Sequence, residues 1–234
     1  MAEFTEDKFW RMYELIRTDI AAAVKSNYTY LTILKIKNSE RSIQAKISKY
    51  PEFWTTILFS LQTTFFISFG RLFDMRRDTH SVAKFVEATI KNRPLFLKPA
   101  VRERKRLDSR ISGDDPQWLI EFMSKAWEPT AANLETLRSA LKPHCDKFKL
   151  IYEPIRHQVY AHRSTEDETT VYSLFRHTLI QDVEEILRFL HTLLWAIWEM
   201  AWNAKSIELS DFSNFESEVK RIRDETERFI QHLP

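Results

Sequence analysis

Apolar residues recur at spacings of three and four along most of the chain, the period of a helix with one buried face. Phe9, Met12, Tyr13, Ile16, Ile20, Ala23 and Val24 form the first stripe. Thr5 is placed to cap it, Glu6 and Asp7 suit the positive end of the helix dipole, and Phe4 is spaced to staple onto Phe9. Residues 28–36 have the β-branched and aromatic content of a strand, but no second strand-like run stands beside them. A continued helix, or a second one, is the preferred reading. Residues 39–49 read as a short polar helix. Pro51 opens the next strong helix, at a position where a missing N–H costs nothing. Its buried face is Trp54, Ile57, Leu58, Leu61, Phe65, Phe69, Leu72 and Phe73. Gly70 lies inside it, which points to close approach of another backbone. Arg71 and Asp74 follow, spaced to pair along one face.

A shorter helix from about His80 turns Val82, Phe85, Val86 and Ile90 inward. Residues 92–114 contain Pro94, Pro99 and a basic cluster, and read as an exposed insertion or flap. Asp115 and Pro116 start a short helix to Met123. From Pro129 onward, Leu134, Leu137, Leu141, Cys145, Phe148, Ile151, Ile155 and Val159 are spaced 3, 4, 4, 3, 3, 4 and 4. Pro143 and Pro154 interrupt this stripe and predict a kink or restart. A polar loop spans 164–170. Leu179, Ile180, Val183, Ile186, Leu187, Leu190, Leu193, Leu194, Ile197, Trp198 and Ala201 make the clearest helix in the chain. Ser213 to Glu216 has the form of a capping box. Phe215, Val219, Ile222, Thr226, Phe229 and Leu233 then form a narrow seam suited to the core or to a second subunit.

Composition supports the same class. Only two of 234 residues are glycine, which argues against sheets and tight turns. Hydrophobic residues make up 44% and charged residues 29%, the balance of a globular soluble domain. The expected fold is all-α, a bundle of roughly six to eight helices. One cysteine, Cys145, leaves no disulfide framework and is read as a packing residue. The N-terminus has no secretory pattern, and the most apolar run, 187–202, is cut by Arg188, His191 and Glu199. A cytoplasmic protein with no membrane partner is expected.

The formal net charge of +2 names no partner. Locally, Lys98, Arg102, Arg104, Lys105, Arg106 and Arg110 face only Glu103 and Asp108. Such a patch attracts phosphates, although a solvated face is the commoner meaning. Candidate chemistry concentrates in 155–163, where Arg156 and His162 stand six apart, His157 follows the arginine and Arg163 the histidine. Arginine forks hydrogen bonds onto a phosphate, and histidine moves protons near neutral pH. RNA brings its own nucleophile, the 2′-hydroxyl, so such a pair can cleave it without a metal. On a straight helix the two side chains are about 120° apart, so they converge only at a frayed end or across a twofold axis. Tyr160 is one turn from Arg156 on the same face. No zinc-ligand spacing, HExxH or glycine-rich phosphate loop is present, so no metal or cofactor is expected. His80, His177, His191 and His232 form no constellation. Trp195, Trp198 and Trp202 read as core.

The run RHQVYAH, 156–162, resembles the Arg-polar-(four to six)-His signature of the HEPN superfamily of helical ribonuclease and nucleotide-binding domains. The wider context is similar to the abortive-infection AbiU-like branch, which joins a helix ending in RLFD, here Arg71 to Asp74, to a later R-polar-x-x-x-A-H and a long aliphatic helix. The likeness spans roughly residues 50–205. It implies a HEPN-like core there; with an N-terminal helical extension the expected domain is 1–205, and the basic insertion at 92–114 has no counterpart in the family pattern. A C-terminal amphipathic helix occupies 206–234. It further implies a homodimer whose paired motifs line a cleft and cut RNA without metal, in phage defence or as a toxin. Arg156 would orient the scissile phosphate, and His162 would be general acid or base. His157, where this branch more often has aspartate, and Tyr160 would support them. Lys98, Arg102, Arg104, Lys105, Arg106 and Arg163 are candidate RNA contacts, and an antitoxin is a candidate partner. The alternatives are a non-catalytic RNA-, nucleotide- or protein-binding module on the same fold, or a structural adaptor.

Overall fold

The computed structural model describes residues 4–76, 78–161 and 178–232, with backbone alone for His157, Tyr160 and Ala161. His162, Arg163, His177, Leu233 and the polar loop 164–170 lie outside the described residues. Nine α-helices and no strand are found among those described, so the chain is all-α, with slightly more helices than expected. They are α1 (Glu6–Ser39), α2 (Arg41–Ser48), α3 (Pro51–Leu72), α4 (Val82–Lys91) and α5 (Lys98–Asp108). Then come α6 (Gln117–Lys125), α7 (Ala131–Lys147), α8 (Ile180–Asn203) and α9 (Ser213–Gln231).

The spine is α1, 34 residues long and therefore about 50 Å at 1.5 Å per residue. Thr5 caps it by accepting from the Lys8 N–H, with Glu6 and Asp7 in the first turn. Residues 28–36 continue the helix. The Thr32 hydroxyl is satisfied within it, donating to the Tyr28 carbonyl at 2.7 Å. The helix α3 runs antiparallel to α1: Asp19 of α1 meets Arg71 of α3, while Tyr30 accepts from Gln62 further back. Phe9, Ile16, Tyr28, Phe69, Leu72, Phe85, Leu134, Ile155 and the inner face of α8 share one core. A smaller cluster at the far end joins Ile33, Ile36, Ile43, Ile47, Trp54 and Ile230. Each such side chain contributes about 1.5–3 kcal/mol by leaving water.

Several expectations need correction. The stretch 92–114 is not a loose flap. It forms a 3-10 turn (Arg93–Phe96) and α5, and buries Phe96 and Val101 completely. Arg104 bolts it down by donating to Glu6, the Leu95 carbonyl and the Ala201 carbonyl. No side chain caps α9 at Ser213, whose N–H is instead taken by the Asp211 carboxylate. The α9 seam also drifts. Phe215, Val219 and Ile222 are buried, but Phe229 is 65% exposed and Ile230 is buried in its place. A strict alternation of four and three follows a supercoil, whereas a helix of 3.6 residues per turn lying across a globular core slides to the next position.

The run through Pro154 departs most from a regular helix. A reciprocal Thr130–Asn133 capping box starts α7, and Pro143 sits within it. Beyond Lys147 the helix widens into a π segment (Phe148–Tyr152), in which the Glu153 N–H reaches back five residues to the Phe148 carbonyl. One α turn (Glu153–Ile155) and a second π segment (Arg156–Ala161) follow. Pro154 has no N–H, and its ring crowds the carbonyl four residues earlier. The wider turn accommodates both. It also rotates the helix face: Tyr152, with 1% exposure, takes the deep position expected of Ile151, which is half-buried.

If Ile230 rather than Phe229 closes the far cluster, Ile230→Ala will lower stability by about 2–5 kcal/mol. Phe229→Ala will stay within about 0.5 kcal/mol of the parent. Urea midpoints of the two variants decide the register.

Candidate functional site

The close approach at Gly70 is made by a side chain, not by a backbone. A Cβ at that position would lie 2.0 Å from Cδ and 2.2 Å from Nε of Arg156. The arginine stem therefore occupies the volume where any other residue would carry its side chain. The rotation introduced by the π segment after α7 directs Arg156 across the end of α3. Its side chain is 14% exposed, and its Nε is buried with no hydrogen-bond partner among the described residues. Its Nη2 lies 3.8 Å from Oδ2 of Asp74, an ion pair longer than a hydrogen bond. A buried cation with incomplete hydrogen bonding is costly, and such groups concentrate where function requires them.

Asp74 does not pair with Arg71. It is gripped by Arg76, whose Nε and Nη2 donate to Oδ2 at 3.0 and 2.7 Å and whose backbone N–H donates to Oδ1 at 3.0 Å. Hydrogen bonds from the Arg76 side chain hold the Asp74 carboxyl below the usual carboxylate range; burial opposes them, and the charge of Arg156 adds a smaller push downward. The loop between α3 and α4 is fastened around Arg76. The Thr79 hydroxyl donates to the carbonyls of Asp74 and Arg76, and the Lys84 ammonium donates to the carbonyls of Arg76 and Thr79.

Arg71 instead meets buried Asp19 of α1 at 3.6 Å, and the other oxygen of Asp19 lies 2.7 Å from Nε2 of His80. His80 also lines an open groove of about 770 Å³ with Lys8, Arg11, Asp78 and Lys84. Asp19, Arg76 and His80 were not among the residues expected from sequence. A signal did exist for the first, because Asp19 falls between Ile16 and Ile20 in an otherwise apolar stripe. None existed for His80, whose partner is 61 residues away.

The remaining predicted residues are dispersed. The backbones of His157 and Tyr160 lie in the second π segment, directly after Arg156. His162 and Arg163 are outside the described residues. In α5, Arg102 and Arg106 both pair with Asp115, and Lys105 lies 5.2 Å over the Trp202 ring and also bonds Asn203. Arg104 is committed to the fold. The Lys98 backbone N–H donates to Glu128. His144 stacks on Phe189 at 4.0 Å, His191 pairs with Glu218 at 3.2 Å, and burial raises the Cys145 thiol to about 11. Trp195 is 39% exposed and stacks on Trp198. Among the described residues no three His, Cys, Asp or Glu side chains gather as metal ligands, and no helix is long and apolar enough to cross a membrane.

The core of the site is thus a fixed guanidinium, a glycine that makes room for it, and a carboxylate shared with a second arginine. It can hold an anion; a proton carrier must come from a neighbouring element. Compared with known proteins, residues 6–227 match the family model HEPN_AbiU2, described as AbiU2. No curated protein and no solved structure matches.

Because the folded-state pKa of Asp74 is depressed, its stabilising contribution is complete above the ordinary carboxylate pKa of about 4. It is lost as pH falls through the folded value, since the unfolded chain takes up the proton first. Urea midpoints measured from neutral pH into the acid range will therefore fall more steeply for the parent than for Asp74→Asn.

Proposed function

The chain belongs to the HEPN_AbiU2 family, and on that premise we propose that it is a metal-independent RNA endonuclease acting in abortive infection or as a toxin. The observation that carries the reading is the seating of Arg156: a nearly buried guanidinium, held in a slot that only glycine permits, with an Nε that has no hydrogen-bond partner among the described residues. A phosphodiester supplies acceptors for such a guanidinium.

In this reading Arg156 binds the scissile phosphate and stabilises the charge that builds on it. His162 takes the proton of the 2′-hydroxyl, whose oxygen bonds to phosphorus. The bond from phosphorus to the 5′-oxygen breaks, and that oxygen receives a proton from an imidazole of the same site. The products are a cyclic 2′,3′-phosphate and a 5′-hydroxyl, with no oxidant or further reactant. Two chains place their Arg156 and His162 residues in one cleft. His157 and Tyr160 support the motif, while Lys98, Arg102, Lys105, Arg106 and Arg163 guide the strand. Arg104 is left out of that set because its guanidinium is enclosed by three acceptors within the fold.

Arg156→Ala and His162→Ala will each lower RNA cleavage by at least about a hundredfold, with circular dichroism and urea midpoints of a folded protein. Chelators will not change the rate. RNA left intact by the folded parent protein overturns the reading. Gly70→Ala supplies a separate check. A methyl group there must push the flexible arginine aside, while helix propensity at an interior position gains about 1 kcal/mol. The variant will keep or slightly exceed parental stability in urea and lose cleavage as Arg156→Ala does.

A further inference from the structure

Arg76 is a surface residue with an unusually restrained geometry. Its side chain is 71% exposed, and an ion pair at such exposure adds little to stability. Even so, it is fixed at every point. Its N–H is held by the Asp74 carboxylate, and its carbonyl accepts from the Thr79 N–H, the Thr79 hydroxyl and the Lys84 ammonium. Its guanidinium is locked edge-on to Asp74 through Nε and Nη2. The oxygen that takes both of these bonds, Oδ2, is the same atom that faces Nη2 of Arg156. One carboxylate oxygen therefore bonds the guanidinium of Arg76 and lies within ion-pair range of that of Arg156, one group open to solvent and the other nearly buried. One carboxylate balances one of the two positive charges that meet it. The three groups keep a net charge of +1, with N–H groups of Arg76 directed outward.

We propose that Arg76 is a second phosphate-binding arginine, paired with Arg156 across Asp74, so that both guanidinium groups hold one phosphodiester of an RNA strand. Asp74 is the positioning residue for both. The inference rests on the ribonuclease reading and adds a substrate contact from a loop outside the Arg156–His162 motif. A phosphate arriving beside Oδ2 satisfies the excess charge, and the prearranged donors lose little freedom on binding it.

The test measures binding separately from cleavage. A fully 2′-O-methylated oligoribonucleotide has no nucleophile, so its dissociation constant can be measured on intact protein between about 50 and 200 mM salt. Arg76→Ala will weaken binding by roughly tenfold at low salt. It will also reduce the logarithmic salt slope by about 0.7, the value for one phosphate contact on a single strand. Arg76→Lys will restore the slope but not the cleavage rate of unmodified RNA, because an ammonium lacks the two-pronged fork. Asp74→Asn will lower cleavage while leaving the far-ultraviolet spectrum unchanged. The proposal falls if Arg76→Ala keeps the parental affinity and slope while Arg156→Ala changes them. If the parent binds the methylated strand but cuts no RNA, the ribonuclease reading falls, and the salt slope of Arg76→Ala still decides the contact. If the parent binds no strand, both are overturned.

Discussion

The insertion of one arginine stem into the space left by one glycine organises the polar end of this molecule. Arg156 reaches Asp74 only because α3 presents no Cβ at position 70. The helix carrying Arg156 can turn it that way only because π segments around Pro154 shift the register. Asp74 in turn fixes Arg76, and the adjacent Arg71 is left to join α1 through Asp19. A local backbone irregularity, a missing side chain and two ion pairs on different helices thus depend on one another. The price of holding a cation this way is an Nε–H with no acceptor among the described residues. A fold selected for stability alone would have placed a leucine against an alanine at this crossing.

Much of the architecture was legible because it follows from period and capping. Thr5, the apolar stripe of α1, Pro51 at the start of α3 and the long aliphatic face of α8 each express one local rule. That 28–36 is helical followed from the lack of a strand partner, but whether α1 continued or a second helix began did not. Features that depend on a neighbour distant in sequence could not be read. Gly70 announced a close contact but not whether backbone or side chain would make it. Arg71 and Asp74 are spaced to pair, yet each has a better partner elsewhere, Asp19 and Arg76. The basic run of α5 looks like a solvated loop by composition. Three of its arginines are paired with Glu6 and Asp115, residues that no local pattern associates with it.

The same distinction applies within the site. Arg156 was identifiable from a short motif and a resemblance, because a reactive residue and its chain neighbours travel together. Asp74 was marked by the RLFD run but given the wrong partner; Arg76, Asp19 and His80 were not marked, since their significance is a matter of three-dimensional adjacency. The one available hint, an aspartate interrupting the apolar stripe of α1, is ambiguous by itself: buried carboxylates serve stability and chemistry alike. The π-helical register was also invisible, because Ile151 satisfies a spacing of three or four as well as Tyr152 does.

The position of Asp19 along α1 carries a further implication. It lies 13 residues from the start of the helix at Glu6 and 20 from its end at Ser39. Fraying of a helix is confined to its outermost turns, where hydrogen bonds are incomplete. The carboxylate that receives Arg71 and His80 is therefore several turns inside the most continuous element of the fold. Thermal loosening at either tip dies out well before it, and the polar end of α3 is registered against a part of the spine that stays helical until the whole domain melts.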